Sequence, residues 1–468
     1  MLILGLLAGL AIPILLGNLI LYFLDSKKAL KPAENLALSF LLGYPAITLL
    51  ILWSFMLNLP YRVFIIGGVI TTLSVLRIIL LGKLSYAGEL PSQLKNHIAQ
   101  IKGKKFLTLT NIILGLLLIL IVIKLSYVFV EACSKPEYSW DASAFWTMDG
   151  KSLYYLNQEQ PGQLLKYFFM LPNYHPEYPK QIQIMHFWLF SWMGEANDQW
   201  SKIIFPLSLG FFLILFYASL REIRGNLGAT IFTYLLFSSP LFLYLSTVGY
   251  ADFTLSVYFS LGIIFFHRWT QKKQDIYFWL FAIFISLTSW IKLEGKPLGM
   301  LGLAILLMYV YHNYNKSINY ILTKVGKYLF ILLIISLPWQ LVVINNHMET
   351  REKLASHLTH FFDLHSQIYI KLFSQGSWGI FWIAAVAAVL LYYKRLFNRE
   401  NVYLAITLLL FYGMVLFIFQ FTSDGYAVFG VSFNRVWLSI YPVTVFLLGC
   451  IVPKVSLGTL GGSEITSL

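Results

Sequence analysis

The chain has 468 residues, of which 58% are hydrophobic, 17% aromatic and only 12% charged. This composition, with a mean hydropathy of +0.71, excludes an ordinary soluble domain and indicates an integral membrane protein. The formal net charge of +13 would suit a nucleic-acid binder, but many basic residues lie in short connectors between apolar runs. That distribution is typical of membrane topology, so we expect no nucleic-acid partner.

Apolar runs long enough to cross the hydrocarbon core as helices recur along the whole chain. The sequence therefore predicts an all-α polytopic membrane protein with about 13 transmembrane helices. Residues 181–193 are also apolar, but counting them as a span would invert the charge bias of every later loop, so we interpret them as an interfacial or re-entrant helix on the outer face. The predicted spans are 3–24, 35–58, 61–82, 106–130, 200–220, 229–246, 253–268, 277–291, 297–311, 327–344, 377–393, 402–421 and 436–452.

The first apolar run has no basic residue before it and is followed by Lys27, Lys28 and Lys31. The positive-inside rule then favours a retained helix with its N-terminus outside over a signal peptide, and the span count puts the C-terminus in the cytoplasm. Arg77 and Lys124 lie within predicted spans without an evident counter-charge. The predicted organisation is three N-terminal helices with a basic cytoplasmic loop (1–105), a core (106–452) with outer loops 131–200 and 345–376, and a tail (453–468).

The stretch from Glu131 to about Trp200 is the one long region that is neither continuously apolar nor a short basic connector, and the topology places it outside the cytoplasm. In it, Asp141 precedes a predicted helix at 142–156. Such an aspartate is often only an N-cap. Here it follows a membrane span closely, where a lipid-borne substrate presents its headgroup, so a functional role is the alternative. Lys151 lies further along the same predicted helix.

The segment His175-Pro-Glu-Tyr-Pro179 cannot be helical because its two prolines fix φ and restrict the residues before them. It is either a connecting loop or a rigid corner at which Glu177, Tyr178 and Lys180 line a substrate pocket.

Several ionisable residues on later loops are predicted to lie on the same, outer side of the membrane. Asp252 lies in Gly249-Tyr-Ala-Asp252, Lys292 and Glu294 lie in the next outer turn, and Arg435 begins the last span. Groups at helix ends can reach water, so each has a structural explanation, yet an arginine fork also suits phosphate oxygens. In the second outer loop, apolar spacing from Leu354 to Ile368 predicts a helix on the membrane surface.

The order of these short motifs resembles the GT-C superfamily of glycosyltransferases that use polyprenyl-linked sugars, such as aminoarabinose and protein mannosyl transferases. The motifs are WDASAFW, HPEYP, GYAD, KLEG and a late arginine before Tyr441-Pro442. HPEYP resembles the family's Asp-Tyr-Pro, and KLEG its Lys-Asn-Glu-Gly with Leu293 in place of Asn. The family often follows its first Asp with Lys-Ala-Lys, of which only Lys151 is matched here.

The resemblance implies inverting transfer of a hexosyl or pentosyl group from a polyprenyl-phosphate carrier to a hydroxyl of a glycan, lipid or protein on the outer face. Asp141 takes the place of the catalytic aspartate, and Arg435 that of the arginine that contacts the lipid phosphate. No cofactor is expected, because a monophosphate donor needs no metal to neutralise a pyrophosphate, although a divalent metal stays open. The histidines His347, His357, His360 and His365 fit no strong zinc pattern, so we predict no metal ligands. The predicted substrate-binding residues are Lys151, His175, Glu177, Tyr178, Lys180, Asp252, Lys292, Glu294 and Arg435.

Two other functions fit the same general pattern. A lipid-linked sugar flippase or other transporter would share the basic inner face, but transporters place key charges near the bilayer midplane, where only Arg77 and Lys124 qualify here. An O-antigen ligase or polymerase is chemically close and uses a diphosphate donor.

Overall fold

A computed structural model of the protein describes residues 1–81, 108–171, 175–314, 317–348, 361–374, 376–421 and 423–454. All regular structure in these ranges is helical, and no strand occurs among them. The expected all-α membrane class is therefore confirmed. The basic loop 83–105, most of the tail 453–468, and His357 and His360 lie outside the described residues.

The helices are named here in chain order. They are α1 (Leu2–Leu24), α2 (Pro32–Met56), α3 (Arg62–Leu81), α4 (Leu109–Ser134), a π-helix (Ala142–Trp146), α5 (Thr147–Glu159), α6 (Leu164–Met170), α7 (Gln181–Met193), α8 (Asp198–Ser201), α9 (Ile204–Leu236), α10 (Pro240–Leu245), α11 (Ala251–Lys272), α12 (Asp275–Ile291), α13 (Gly295–Asn313), α14 (Ile318–Asn345), α15 (Phe361–Tyr369), a second π-helix (Ile370–Ser374), α16 (Phe381–Leu391), a 3₁₀ helix (Tyr393–Phe397), α17 (Val402–Phe421), α18 (Ser423–Trp437), a 3₁₀ helix (Leu438–Ile440) and α19 (Tyr441–Ile451).

Eight stretches of the described residues are long and apolar enough to cross a membrane, and the expected count of about 13 spans is not confirmed. One reason is that the predicted span 229–246 is not one continuous helix. Helix α9 ends at Leu236 and α10 begins at Pro240, whose ring cannot donate a backbone hydrogen bond and is suited to the first helical position. The eight stretches are Leu2–Leu24, Pro32–Met56, Arg62–Leu80, Leu109–Ser134, Asp198–Leu236, Ile318–Asn345, Val402–Phe421 and Ser432–Ile451.

Helices α1 and α2 form a tightly packed hairpin because glycines stand where their backbones meet. A methyl group added to Gly17 would lie 1.8 Å from the carbonyl oxygen of Ser39, and one added to Gly43 would lie 1.8 Å from that of Pro13. Small residues allow this close approach between membrane helices. The hairpin in turn packs against α7 and α9, so the N-terminal helices contact the elements that carry the later loops.

Helix α7 corresponds to the apolar residues 181–193, and protein surrounds it. Phe187, Trp188 and Leu189 are fully buried, the helix packs against α1, α2 and α5, and Trp188 donates its indole N–H to the carbonyl oxygen of Gly9 at 2.8 Å. A helix that lies on the membrane surface keeps one face exposed. The sequence predicts that residues 181–193 form an interfacial or a re-entrant helix. The interfacial interpretation is wrong, because α1 and α2 cover the face that would meet lipid.

The predicted second outer loop is described in part. Helix α15 covers 361–368 of the predicted surface helix and continues into the second π-helix, while 349–360 lie outside the described residues.

The two unassigned intramembrane cations have polar partners. Arg77 in α3 donates to the side-chain oxygen of Asn18 at 2.8 Å, and Lys124 in α4 donates to the carbonyl oxygen of Phe237 at 3.2 Å and to the hydroxyl of Ser238 at 3.3 Å. Lys124 therefore joins α4 to the end of α9, which is a structural role.

The helix directions separate two ends of the bundle. Arg268, near the C-terminal end of α11, forms a buried ion pair with Glu34 at the start of α2. The opposite end of α11 begins with Asp252, and the opposite end of α2 leads to Arg62, which donates to Asn157 in α5 at 2.9 Å. The loops that carry Asp141 and Asp252 thus lie at one end, and the lysine-rich turn 27–31 lies at the other.

Candidate active site

Five of the predicted residues meet in one ion-pair network, which we call the site cluster. It consists of Asp141, Asp252, Lys292, Glu294 and Arg435. Arg435 Nη1 lies 2.6 Å from Asp141 Oδ2, and its Nε lies 3.3 Å from Asp252 Oδ2. Lys292 Nζ lies 3.0 Å from Asp252 Oδ1 and 2.8 Å from Glu294 Oε1. Residues separated by up to 294 positions in the chain therefore form a single charged network.

Asp141 does not act as a helix cap. It stands just before the π-helix and its side chain makes no capping hydrogen bond; the carboxylate turns to Arg435 instead. Its backbone N–H donates to the hydroxyl of Tyr250 at 3.3 Å, and the guanidinium of Arg435 lies 5.0 Å from the centre of the Tyr250 ring. The N-cap interpretation is wrong, because the carboxylate pairs with Arg435 and accepts no capping hydrogen bond from the helix. π-helical turns are frequent at functional sites.

Asp252 is the buried centre of the site cluster, with 2% of its surface exposed. It lies in the first turn of α11, where the positive end of the helix dipole stabilises a carboxylate. Lys292 beside it is also buried. Burial works against the ammonium form, but Asp252 and Glu294 together raise the pKa of Lys292 above its usual value. Lys292 is therefore a permanent cation rather than a base at neutral pH.

Three polar atoms of the site cluster have unmet hydrogen-bonding capacity. Asp252 Oδ2, Glu294 Oε2 and Arg435 Nε are buried and have no hydrogen-bond partner among the described residues. The 3.3 Å approach of Arg435 Nε to Asp252 Oδ2 is a charge contact without hydrogen-bond alignment. Buried polar atoms without partners are rare and call for an explanation. Three in one network favour a polar or charged ligand as the missing partner.

The outer side of the site cluster is open to solvent. The side chains of Asp141 and Arg435 are 30% and 17% exposed, whereas those of Asp252 and Lys292 are 2% and 6% exposed. An arriving ligand therefore meets Asp141 and Arg435 first, with the fixed pair Asp252 and Lys292 behind them.

Lys180 lies in a second, separate ion pair. Its ammonium is 3.0 Å from Asp149 Oδ2, donates to the carbonyl oxygen of His175 at 3.1 Å, and lies 4.5 Å from the ring centre of Phe145. Burial raises the pKa of Asp149 and lowers that of Lys180, so each charged form depends on the other. This pair fixes α5 to the corner before α7.

The remaining predicted residues surround the π-helix. Lys151 pairs with Asp198 at 2.7 Å, and His175 Nδ1 lies 3.6 Å from Glu177 Oε1. The Tyr178 ring stacks on His175, with ring centres 4.6 Å apart, and also contacts Phe145. The HPEYP corner thus packs against the same short helix that follows Asp141.

Glu137 is a site residue that the sequence reasoning missed. Its carboxylate accepts backbone N–H groups from Tyr138 at 3.2 Å, Ser139 at 3.3 Å and Gly249 at 3.2 Å. It thereby joins the loop before Asp141 to the loop before Asp252. Burial raises the pKa of Glu137, while Lys202 and the three N–H groups oppose that rise. No local pattern marks this role, because the partner Gly249 is 112 residues away.

Replacing Glu137 with alanine is expected to lower the free energy of unfolding by about 1–3 kcal/mol, since the Gly249 N–H loses its acceptor in a partly buried position. Thermal unfolding of the detergent-solubilised protein measures this loss. Glu131→Ala is the matched control, because Glu131 pairs with exposed Lys135, and its expected change is below about 0.5 kcal/mol. Equal effects of the two substitutions would show that Glu137 does not join the loops.

The described residues contain no group of three or more histidine, cysteine or acidic side chains that could hold a metal ion. Comparisons of the whole chain with protein-family models, with curated proteins and with solved structures find no match.

Proposed function

We propose that the protein is an integral membrane glycosyltransferase that moves a sugar from a polyprenyl-phosphate carrier to an acceptor hydroxyl on the extracytoplasmic face. The observation that carries this proposal is the contact between Asp141 and Arg435, with Asp252 and Lys292 buried behind it. A proton acceptor and a phosphate-binding cation are the two groups that the reaction requires.

In this reaction the acceptor oxygen attacks the anomeric carbon and displaces the carrier phosphate with inversion. Asp141 takes the hydroxyl proton as the new glycosidic bond forms. The electron pair of the broken bond between carbon and oxygen leaves with the polyprenyl phosphate, whose growing negative charge Arg435 stabilises through charge-assisted hydrogen bonds. Lys292 adds a second positive charge from a buried position.

The contact of Asp141 with Arg435 suits this sequence of events. The donor phosphate competes with Asp141 for the N–H groups of Arg435. Once the phosphate has taken over these N–H groups, the Asp141 carboxylate is free to accept the hydrogen bond of the acceptor hydroxyl. The base is then most effective only when the donor is in place.

The HPEYP corner is suited to hold the sugar or the acceptor. His175 and Tyr178 form a stacked aromatic surface next to Phe145, and aromatic faces pack well against the apolar faces of sugar rings. The corner contacts the π-helix that begins directly after Asp141. Glu177 supplies a carboxylate at the same corner, and Lys151 lies in α5, directly after the π-helix.

The experiment that tests the proposal uses the purified full-length protein with two radiolabelled donors, a polyprenyl monophosphate sugar and a polyprenyl diphosphate sugar. Release of polyprenyl phosphate from the monophosphate donor, together with transfer of the label to an added glycan or lipid acceptor, is the expected result. Release from the diphosphate donor alone would indicate a ligase or polymerase. Movement of intact donor across a proteoliposome membrane without release would indicate a flippase, and either outcome would contradict the proposal.

Replacing Arg435 with glutamine is expected to raise the KM for the donor by at least about 10-fold, since a charge-assisted contact to phosphate is lost. The KM for the acceptor should change little. Arg435→Lys should recover part of the loss, because it restores the charge without the bidentate fork. Steady-state rates measured against each substrate in turn separate these effects, and an unchanged response to donor concentration would rule out the phosphate contact.

A further inference from the structure

A cavity of about 440 Å³ opens at the end of the bundle opposite the site cluster. It is formed by the C-terminal end of α1, the start of α2 and the C-terminal part of α3, and its lining includes Arg77, Asn18 and Asn35. Its volume falls within the range of small-molecule sites. The cavity is remote from Asp141, because α3 runs from it towards Arg62, which contacts α5 at the other end.

Arg77 is the main charged group of this cavity. It lies inside the candidate membrane span Arg62–Leu80, and no carboxylate of the described residues forms an ion pair with it. Its hydrogen bonds among these residues use only Nη1, which donates to Asn18. The guanidinium lies 4.4 Å from the ring centre of Tyr22. An arginine has five N–H donors, so donors are left for a ligand in the cavity.

A purely structural role does not account for a full charge at this position. Asn18 already joins α1 to α2 by donating to Asn35 Oδ1 at 2.9 Å. Neutral amides of this kind are the usual links between membrane helices. An unpaired arginine in a span is costly and typically marks a functional pathway or a bound anion.

The other charges of the lining favour an anionic ligand. The carboxylate oxygens of Asp25 accept the backbone N–H groups of Ala29 and Leu30 at 2.8 and 3.1 Å, so they are committed to the turn. Lys28 also lines the cavity and is exposed. The lining therefore presents two cations and one carboxylate that is already engaged.

The rim of the cavity is apolar and exposed, with Tyr22 at 43% and Phe23 at 77%. A polar chamber with an apolar rim suits a phosphate that is attached to a hydrocarbon chain. We propose that this cavity binds a phosphate monoester, with Arg77 as its principal ligand and Lys28 as the second cation. A lipid headgroup and a water-soluble phosphate ester share this chemistry, and the experiment below separates them.

The test uses delipidated full-length protein in neutral detergent. Native mass spectrometry measures binding of phosphatidic acid and of diacylglycerol, which has the same chains without phosphate, and calorimetry measures binding of glycerol 3-phosphate. We expect one phosphatidic acid to bind at least about 10-fold more tightly than diacylglycerol, and Arg77→Gln to remove that preference. Binding of glycerol 3-phosphate that depends on Arg77 would support the same site with a soluble ligand.

Lys28→Gln provides a second variant that leaves the helix packing intact, because Lys28 is exposed, and it should weaken binding about 3-fold. Arg399→Gln removes an exposed arginine between α16 and α17 and should bind like the unmodified protein. Equal binding of phosphatidic acid and diacylglycerol, together with no binding of glycerol 3-phosphate, would overturn the proposal. Unchanged phosphate binding in both Arg77→Gln and Lys28→Gln would do the same. Neither measurement depends on glycosyl transfer.

Discussion

Asp141→Asn is expected to reduce sugar transfer by about 10²- to 10⁴-fold, the usual loss when a general base is removed. Asparagine has nearly the same shape and can still accept a hydrogen bond from Arg435, which lies 2.6 Å from Asp141, but it cannot accept the hydroxyl proton. The turnover number should fall while the KM for the donor stays the same or falls, because Arg435 is retained and a neutral asparagine competes less with the donor phosphate for its N–H groups. Transfer of labelled sugar under saturating donor measures the effect.

Asp275→Asn is the matched control for this substitution. Asp275 begins α12 and pairs with Lys324 from a side chain that is 73% exposed, at the end of the bundle away from the site cluster. Its transfer rate should stay within about 2-fold of the unmodified protein, because the Asp275 side chain is exposed and remote from the site cluster, and asparagine can still accept a hydrogen bond from Lys324. If folded Asp141→Asn protein transferred sugar at the same rate as this control, Asp141 would not be the base.

Lys180→Met is expected to destabilise the protein by about 3–5 kcal/mol, because it leaves the buried carboxylate of Asp149 without its cation. The two side chains are only 3% and 10% exposed, so water cannot replace the lost partner. The tryptophan-rich core makes the intrinsic fluorescence a convenient probe, and the midpoint of thermal unfolding in detergent should fall accordingly.

The double variant Lys180→Met with Asp149→Asn should recover at least half of that loss, since no buried charge is left unpaired. Recovery would show that the penalty of the single variant comes from the isolated Asp149 charge. A double variant that is as unstable as the sum of the two single variants would show instead that the pair makes no direct contribution.

Much of the architecture follows from local patterns. Apolar runs of membrane length predict the long helices because a backbone in hydrocarbon must satisfy its own hydrogen bonds, and α1, α4 and α17 appear close to their predicted limits. The expected count of 13 spans is not confirmed, because several segments between 181 and 313 combine shorter helices with polar residues. Hydropathy alone cannot distinguish an apolar helix in lipid from one such as α7 that other helices surround.

The candidate site, too, could be predicted from the sequence only in part. The sequence identifies Asp141, Asp252 and Arg435 as charges in an otherwise apolar chain, but it does not indicate which of them touch. Lys180, predicted to line a substrate pocket, instead forms an ion pair with Asp149. Glu137 is absent from the prediction because its partner lies on another loop.

The sequence by itself determined that this is a helical membrane protein with a polar region rich in carboxylates between apolar spans, because composition and periodicity are local properties of the chain. Only the tertiary structure decided that Asp141 faces Arg435 rather than capping its own helix, and that Asp252 and Lys292 lie behind this pair. Such pairings depend on how α11, α12 and α18 pack. Residues hundreds of positions apart carry no local signal of that packing.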